Sequence, residues 1–213
     1  MTAPLRVYTM PGSPYARRVE LVLAEKNIPY EAVVLSRSDG DLRTKAHLKR
    51  NPRGRVPVLS DGDVTLYESQ AIVEYLEERY STPALVPEDA AGRAAVRIEE
   101  FECLLYFLPA MGTVAQLVFL TAPEDQDRDA IASAIDTLAS ELDRVEHRAA
   151  ARDAEYLLGA ELSRADLTWL TAIEISERGG LALDAVRFPW LAAWRSRLST
   201  RPSYQATYPA HWR

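Results

Sequence analysis

The chain has 213 residues, of which 47% are hydrophobic and 26% are charged, and its formal net charge at pH 7 is -6. This length and composition are typical of a globular protein with one large domain or two small ones. The negative net charge leaves no broad cationic surface for nucleic-acid phosphates, so we expect no nucleic-acid partner.

Cysteine and histidine usage argues against disulfides and bound metal. The single cysteine, Cys103, has no partner for an internal disulfide, which predicts a reducing compartment. The three histidines, His47, His147 and His211, are scattered without the spacing of metal ligands. We therefore expect no bound metal.

The first third of the chain mixes strand-like and helix-like segments. Residues 1–7 lack the charged and then apolar run of a signal peptide, which predicts a cytoplasmic protein. Residues 5–8 predict a strand, and a turn rich in proline and glycine leads into a helix that ends near Asn27. The following segments are a strand at 30–35, a charged helix at 42–50, two hairpin strands at 56–59 and 64–67, and a helix at 68–80. The resulting order β-α-β-α-β-β-α predicts a thioredoxin-like α/β domain over residues 1–80.

The rest of the chain is predicted to be helical. A linker at 81–92 is followed by a predicted all-helical domain over residues 93–213. The apolar stretch 104–122 is nearly long enough to cross a membrane, but Pro109 and Gly112 interrupt it, so we predict a buried core helix and no membrane partner. Two apolar stripes are predicted to face the core: Ile98, Phe101, Leu105 and Leu108, and then Ile131, Ala134, Ile135, Leu138, Leu142 and Val145. Further helix starts are predicted at the capping pair Ser163 and Asp166 and at Pro189.

The most informative segment is residues 51–59 (NPRGRVPVL), which is followed by residues 68–72 (ESQAI). Together they resemble the glutathione-binding signature of the glutathione transferase superfamily. The resemblance implies a cis peptide bond before Pro57. It also implies that the backbone N–H and C=O of Val56 contact the cysteinyl part of glutathione, as an open strand edge pairs with a peptide.

Three side chains near this edge receive the charged ends of glutathione in the same resemblance. Ser69, with its backbone N–H at a helix start, is expected to take the γ-glutamyl carboxylate, and Glu68 the ammonium group. Arg55 matches the family position that meets the glycyl end. Taken alone, the residues around Pro57 would form an ordinary turn and those at Glu68 an ordinary cap, but their joint occurrence at this spacing favours a glutathione site.

A second motif, residues 11–19 (PGSPYARRV), lies between the first strand and the first helix. It is similar to the serine-type active-site loop of the tau class, with Ser13 in the catalytic position, where the omega class carries cysteine. A hydroxyl there can donate to the glutathione sulfur and favour the thiolate, and the N-terminus of the following helix favours negative charge as well.

Other interpretations of this loop stay open. Serine is also a residue type that simply caps helices, and this is the alternative for Ser13. Tyr8, at the end of the first strand, is a rival donor, since other transferase classes use a tyrosine there. Arg17 and Arg18 either steer the anionic tripeptide or its thiolate, or belong to a solvated helix face.

The resemblance implies an enzyme with glutathione as co-substrate and no metal. Its thiolate would be conjugated to a hydrophobic electrophile, or would serve in an isomerisation or dehalogenation. Candidates for the second-substrate pocket are Tyr15, Tyr106 and Met111, followed by Phe107, Phe119, Tyr208 and Trp212. A homodimer that acts in detoxification is the family expectation.

A non-catalytic protein with the same fold is the alternative function. The stringent starvation protein A family, which associates with RNA polymerase, has a helix sequence that resembles residues 65–69 and 74–80. The loop of Ser13, Pro14 and Tyr15 matches the catalytic classes instead, so we favour the enzyme.

Overall fold

The structure is a computed structural model that describes residues 4–212, apart from the side chain of His211. It contains two compact units. One holds the residues up to Leu85 together with those from Arg201 onward, and the other is Val86–Thr200. The predicted helical domain at 93–213 therefore differs from the structure at both ends, since the first helix of the second unit begins at Ala90.

A four-stranded sheet forms the centre of the first unit. Its elements are β1 (Arg6–Thr9), α1 (Pro14–Glu25), β2 (Glu31–Val34), α2 (Lys45–Arg50), β3 (Val58–Asp61), β4 (Val64–Tyr67) and α3 (Ser69–Arg79). The strand order is β2-β1-β3-β4, in which β1 and β2 are parallel and β3 pairs antiparallel with β1 and β4. The predicted thioredoxin-like topology is thereby confirmed.

A buried ion pair helps to hold α1 against α3. The Nζ atom of Lys26 lies 3.0 Å from the carboxylate of Glu77, and it also donates to the carbonyl groups of Tyr80 and Pro83 at 2.7 Å. The helical pattern of the sequence places Lys26 away from the apolar face. Its charge is nevertheless buried, because a carboxylate and two carbonyl groups replace water around it.

Five helices form the second unit. They are α4 (Ala90–Glu102), α5 (Leu108–Phe119), α6 (Arg128–Ala150), α7 (Arg164–Arg178) and α8 (Pro189–Ser199). A π-helical turn, Cys103–Phe107, joins α4 to α5. It ends two residues before Pro109, which has no N–H to donate and whose ring would clash with the carbonyl four residues earlier in a regular helix.

The continuous helix Ala90–Phe119 is long and apolar enough to cross a membrane by length and composition alone, with a mean hydropathy of 1.5 over its most apolar window, of which 28% is buried. One face of this helix packs against α7 through polar contacts. The guanidinium of Arg164 lies 3.1 Å from the buried carboxylate of Glu100, and the indole of Trp169 donates to the carbonyl group of Glu99. These contacts are those of a helix within a helical domain.

The first predicted apolar stripe does not face the core. Ile98, Phe101 and Leu105 are 61%, 43% and 59% exposed, and only Leu108 of that stripe is buried. This prediction was wrong because the periodicity counts apolar side chains only. The face that is buried instead carries Glu100, whose charge is matched by an arginine of α7.

The second predicted stripe is mostly correct, and it lies on α6, which packs against α5 and α8. Its buried members are Ala134, Leu138, Leu142 and Val145, whereas Ile131 and Ile135 are half-buried.

α7 begins at the capping pair that the sequence predicts. The backbone N–H and the hydroxyl of Ser163 donate to one carboxylate oxygen of Asp166 at 2.9 and 2.8 Å. The other oxygen accepts from the N–H of Leu157 and the indole of Trp194, both at 2.9 Å. Burial raises the pKa of Asp166, although all four hydrogen bonds act to lower it. This carboxylate therefore ties the start of α7 to α8.

The last helix, α9 (Pro202–Thr207), belongs to the first unit and packs against α1. The guanidinium of Arg201 forms two hydrogen bonds with the carboxylate of Glu25, at 2.6 and 2.8 Å. The hydroxyl of Ser203 donates to the same carboxylate. These contacts explain why the chain from Arg201 onward groups with the sheet.

Candidate active site

Ser13 begins α1 at the end of a tight turn. Gly12 has a φ of +83°, which glycine adopts without steric cost, and the N–H of Ser13 donates to the carbonyl group of Met10 at 3.1 Å. The Oγ of Ser13 caps the helix by accepting the N–H of Ala16 at 3.3 Å. This bond uses only a lone pair, and among the described residues the hydroxyl hydrogen has no acceptor. Capping a helix and donating to a sulfur are therefore compatible roles for Ser13.

Tyr8 occupies a different environment. Its side chain is buried on the face of the sheet that α2 covers, where the Arg50 guanidinium lies 4.4 Å from the centre of its ring. The ring of His47 lies next to it, with 6.5 Å between the ring centres. Tyr8 is thus packed among residues of α2, whereas Ser13 stands at the start of α1.

The peptide bond between Val56 and Pro57 is cis, as the resemblance implies. Val56 lies just before β3, and Pro57 is buried. Within the described part of the chain, the backbone N–H and C=O of Val56 make no hydrogen bond. A short backbone edge is therefore available to pair with another peptide.

Glu68 and Ser69 meet at the start of α3. Glu68 precedes the helix with φ of 70° and ψ of 113°, a conformation that is unfavourable for a residue with a side chain and that often marks a functional position. Its side chain is exposed and has no hydrogen bond or ion pair within residues 4–212, where side chains are described. Ser69 is buried at the first helical position.

Arg18 connects the starts of the two helices. Its guanidinium is buried and donates to the Oγ of Ser69 at 3.4 Å and to the amide oxygen of Gln70 at 3.0 Å. The interpretation of Arg18 as part of a solvated helix face is wrong. The side chain instead fixes α3 against α1, the helix that Ser13 caps.

Comparisons with known proteins identify the family. Residues 7–84 match the model of the glutathione S-transferase N-terminal domain, and residues 108–202 match that of the C-terminal domain. Glutathione S-transferase 4 of Zea mays is 34% identical over 206 residues, which cover 95% of this chain and 91% of that protein. This chain belongs to the glutathione S-transferase family.

Two further proteins agree with this assignment. The maleylacetoacetate isomerase of Pseudomonas aeruginosa is 30% identical to this transferase over 97% of both chains. The crystal structure of a glutathione S-transferase from the Antarctic clam Laternula elliptica matches with a TM-score of 0.83 and 30% identity, covering 99% of this chain and 94% of that one. The enzyme interpretation is confirmed, with glutathione as the substrate, and none of these findings favours the non-catalytic alternative.

Arg17 of the transferase is also buried, so a solvated helix face does not describe it. Its guanidinium donates to the carbonyl group of Thr207 at 3.0 Å. It lies 5.0 Å from the ring centre of Tyr204, 5.1 Å from that of Tyr208 and 6.0 Å from that of Trp212. Arg17 therefore anchors the C-terminal segment to α1 through cation–π contacts.

The predicted pocket residues occupy different environments. Tyr15 of the first unit is 39% exposed, and Tyr106 of the second is 58% exposed. Met111 is only 3% exposed, and its sulfur accepts a hydrogen bond from Ser176 at 3.2 Å. Met111 is therefore a core residue of the helical unit. The same holds for Phe107, which is buried against Trp169 with 5.2 Å between the ring centres.

A carboxyl group on α1 has a shifted pKa. Burial raises the pKa of Glu20, while a hydrogen bond with Thr9 and the charge of Arg17 partly offset the increase. Burial, together with the charge of Glu20, raises the pKa of Tyr30 to about 12.

Among the described residues, no group of three or more His, Cys, Asp or Glu side chains could hold a metal ion.

Two residues of the site are not identified from the sequence. His47 and Asn51 are both buried, and each contacts the carbonyl oxygen of Arg55, immediately before Val56. From the sequence, His47 is assessed only as a possible metal ligand, and it lacks the spacing of one. The one available signal is the position of Asn51, at the start of the segment that resembles the glutathione signature.

Proposed function

We propose that this transferase holds glutathione with Arg55, Val56, Glu68 and Ser69 and activates its thiol with Ser13. The observation that carries the proposal is that these residues leave suitable groups without a partner among the described residues. These groups are the Val56 backbone, the Glu68 carboxylate and the hydroxyl hydrogen of Ser13. Unpaired polar groups on an ordered scaffold are what a polar ligand requires.

The hydroxyl of Ser13 is strong enough for the proposed activation. A thiol has a pKa of about 8.5, and lowering it by about two units requires about 2.7 kcal/mol. A hydrogen bond to a charged acceptor supplies about 1.5 to 3 kcal/mol. The N-terminus of α1 adds up to about 1 or 2 kcal/mol, because its dipole favours negative charge. Ser13 and the helix together account for a thiolate at neutral pH.

Charge in the first unit also suits glutathione, which carries two carboxylates and one ammonium group. Residues 41–55 contain six arginines and lysines but only one acid, Asp41, although the whole chain has a net charge of -6. The exposed side chain of Arg55 can pair with the glycyl carboxylate, and the exposed Glu68 can pair with the ammonium group. Ser69, at the start of α3, offers its backbone N–H to the γ-glutamyl carboxylate.

The proposed reaction is attack of the thiolate on an electrophilic carbon of a hydrophobic substrate. The names of the relatives include both a transferase and an isomerase, and an isomerisation uses the same thiolate without consuming glutathione. The exposed ring of Tyr15, two residues after Ser13 in the same unit, would contact the second substrate. We expect the protein to act in the cytoplasm, with detoxification as its role.

The same proposal includes a homodimer. Ile98, Phe101 and Leu105 form an exposed apolar stripe that the described chain leaves uncovered, and apolar side chains grouped in this way often mark an interface. Sedimentation equilibrium should give twice the mass of the chain. The substitution Leu105→Glu, which places a charge in the stripe, should shift the equilibrium towards the monomer. A wild-type protein that sediments as a monomer at micromolar concentration would contradict this part of the proposal.

Calorimetric titration with glutathione tests the binding site. We expect Glu68→Gln to weaken binding about tenfold or more, because a charge-assisted hydrogen bond contributes about 1.5 to 3 kcal/mol. The matched control is Glu78→Gln, which removes the same charge from the exposed far end of α3 and should bind as the wild type does. Absence of heat with the wild-type protein at millimolar glutathione would refute the proposed site.

The stoichiometry of glutathione distinguishes the two reaction classes. A conjugation consumes one glutathione per turnover and yields a product heavier by that tripeptide, which mass spectrometry detects. An isomerisation leaves the glutathione concentration unchanged while the substrate spectrum changes. Conjugation of a chloronitrobenzene-type electrophile is the expected result for the proposed function.

A further inference from the structure

The carbonyl oxygen of Arg55 accepts two hydrogen bonds from buried side chains. The Nε2 atom of His47 lies 3.1 Å from this oxygen, and the Nδ2 atom of Asn51 lies 2.8 Å from it. Both side chains are 2% exposed. Two buried donors that converge on one loop carbonyl form a specific arrangement, because most carbonyl groups outside regular elements are satisfied by water or backbone.

The arrangement identifies the protonated nitrogen of His47. A carbonyl oxygen can only accept, so the Nε2 atom carries a hydrogen and donates it. The Nδ1 atom is buried and has no hydrogen-bond partner among the described residues. The geometry therefore gives the ring of His47 the role of donor to Arg55.

Other contacts hold the two donors in place. The N–H of His47 is capped by the Oγ1 of Thr44 at 3.2 Å, and the side-chain oxygen of Asn51 accepts the N–H of Arg53 at 3.0 Å. Gly54 completes the loop with a φ of +60°, and a Cβ at this position would lie 2.7 Å from the carbonyl oxygen of Leu42. The donors therefore belong to a closely packed loop.

The consequence concerns the next residue, because the C=O of Arg55 and the N–H of Val56 belong to one peptide group. Cis bonds in the described chain are limited to those before Pro57 and Pro83, so this peptide is trans. In a trans peptide the C=O and N–H point in opposite directions. Fixing the oxygen towards α2 therefore turns the N–H of Val56 away from α2.

We propose that His47 and Asn51 are positioning residues that orient the Val56 N–H for the peptide group of glutathione. This inference rests on the proposed glutathione site. Two donors on the oxygen fix the peptide plane before the ligand arrives, so the ligand does not have to order it. They also polarise the peptide group, which makes its N–H a better donor. Neither residue touches the reacting sulfur in this proposal.

Binding and kinetics of three variants test the proposal. In the double variant His47→Ala with Asn51→Ala, we expect glutathione to bind about tenfold more weakly, as loss of one well-placed hydrogen bond implies. The KM for glutathione should rise by the same factor while kcat at saturation stays within about twofold of wild type. The conservative variant His47→Gln keeps a side-chain donor and should recover part of the affinity. The control His147→Ala removes an exposed histidine of α6 and should have no effect.

A measurement on the wild-type protein covers the case in which the double variant does not fold. The Val56 amide resonance in a ¹⁵N–¹H spectrum should move downfield on addition of glutathione, and its hydrogen exchange should slow. A folded double variant with unchanged affinity for glutathione overturns the inference. So does a Val56 amide whose resonance and hydrogen exchange do not change when glutathione binds. Failure of the wild-type protein to bind glutathione is a different result, which refutes the proposed site itself.

Discussion

Replacing Ser13 with alanine isolates the proposed role of its hydroxyl. The bond from this group to the glutathione sulfur is worth about 1.5 to 3 kcal/mol, and one pKa unit corresponds to about 1.36 kcal/mol. We therefore expect the pKa of the bound thiol to rise by about one to two units in Ser13→Ala. At a pH below both values, turnover should fall about 10- to 150-fold, in proportion to the lost thiolate.

The assay is the pH dependence of kcat at saturating glutathione with a chloronitrobenzene-type electrophile. Ultraviolet absorbance of the thiolate in the binary complex gives the same pKa independently. Because the deficit comes from ionisation, it should shrink as the pH rises through the higher pKa of the variant. An unchanged thiol pKa together with unchanged turnover would refute the reasoning and transfer the role to Tyr8 or to the N-terminus of α1.

The control for this variant concerns helix capping. Ser13→Ala also removes the bond to the N–H of Ala16, and a lost cap costs about 1 kcal/mol of stability. Asp89 caps α4 in the same way, by accepting the N–H of Gly92 at 2.8 Å. Asp89→Ala should therefore cost similar stability without moving the thiol pKa. Equal losses of turnover in the two variants would assign the effect to stability.

Two further predictions concern stability. Glu20→Gln should stabilise the protein at pH 7, because burial raises the pKa of this carboxyl above its ordinary 4.5 and thus penalises the ionised form. The gain in the free energy of unfolding should be absent below pH 4.5, grow as the pH rises through the folded-state pKa and level off above it; a gain independent of pH contradicts the cause. Arg201→Ala should cost about 1 to 3 kcal/mol, since it breaks a partly buried bidentate pair with Glu25. Urea unfolding measures this, and Arg187→Ala, which breaks the exposed pair with Asp143, should cost less than Arg201→Ala does.

Local signals explain the successful part of the sequence interpretation. The hairpin of β3 and β4 needs only the glycine at Gly62, which takes a φ of +57°, and a strand pattern on either side. The capping pair of Ser163 and Asp166 needs residues three positions apart. The glutathione signature is also compact, so its loop and helix start could be placed without knowing the rest of the fold.

Partners distant in the sequence explain the errors. Apolar periodicity assigned Ile98 and Leu105 to the core, but the polar side of α4 is buried because Arg164 compensates the charge of Glu100. The carbonyl that His47 and Asn51 hold belongs to a loop whose geometry no helical or strand period describes. A pattern within one element shows which residues are apolar, but not which charged residues will find a partner.

Arg17 shows how such a long-range partner affects the site. Burying the charged guanidinium of Arg17, four residues after Ser13, costs free energy unless other groups replace the water around it. The replacement comes from the carbonyl of Thr207, which is 190 residues further along, and from the rings of Tyr204 and Tyr208. The helix that Ser13 caps is thus covered, one turn later, by the end of the chain. Because the same guanidinium contacts both segments, we expect loss of the C-terminal segment to loosen the first turn of α1.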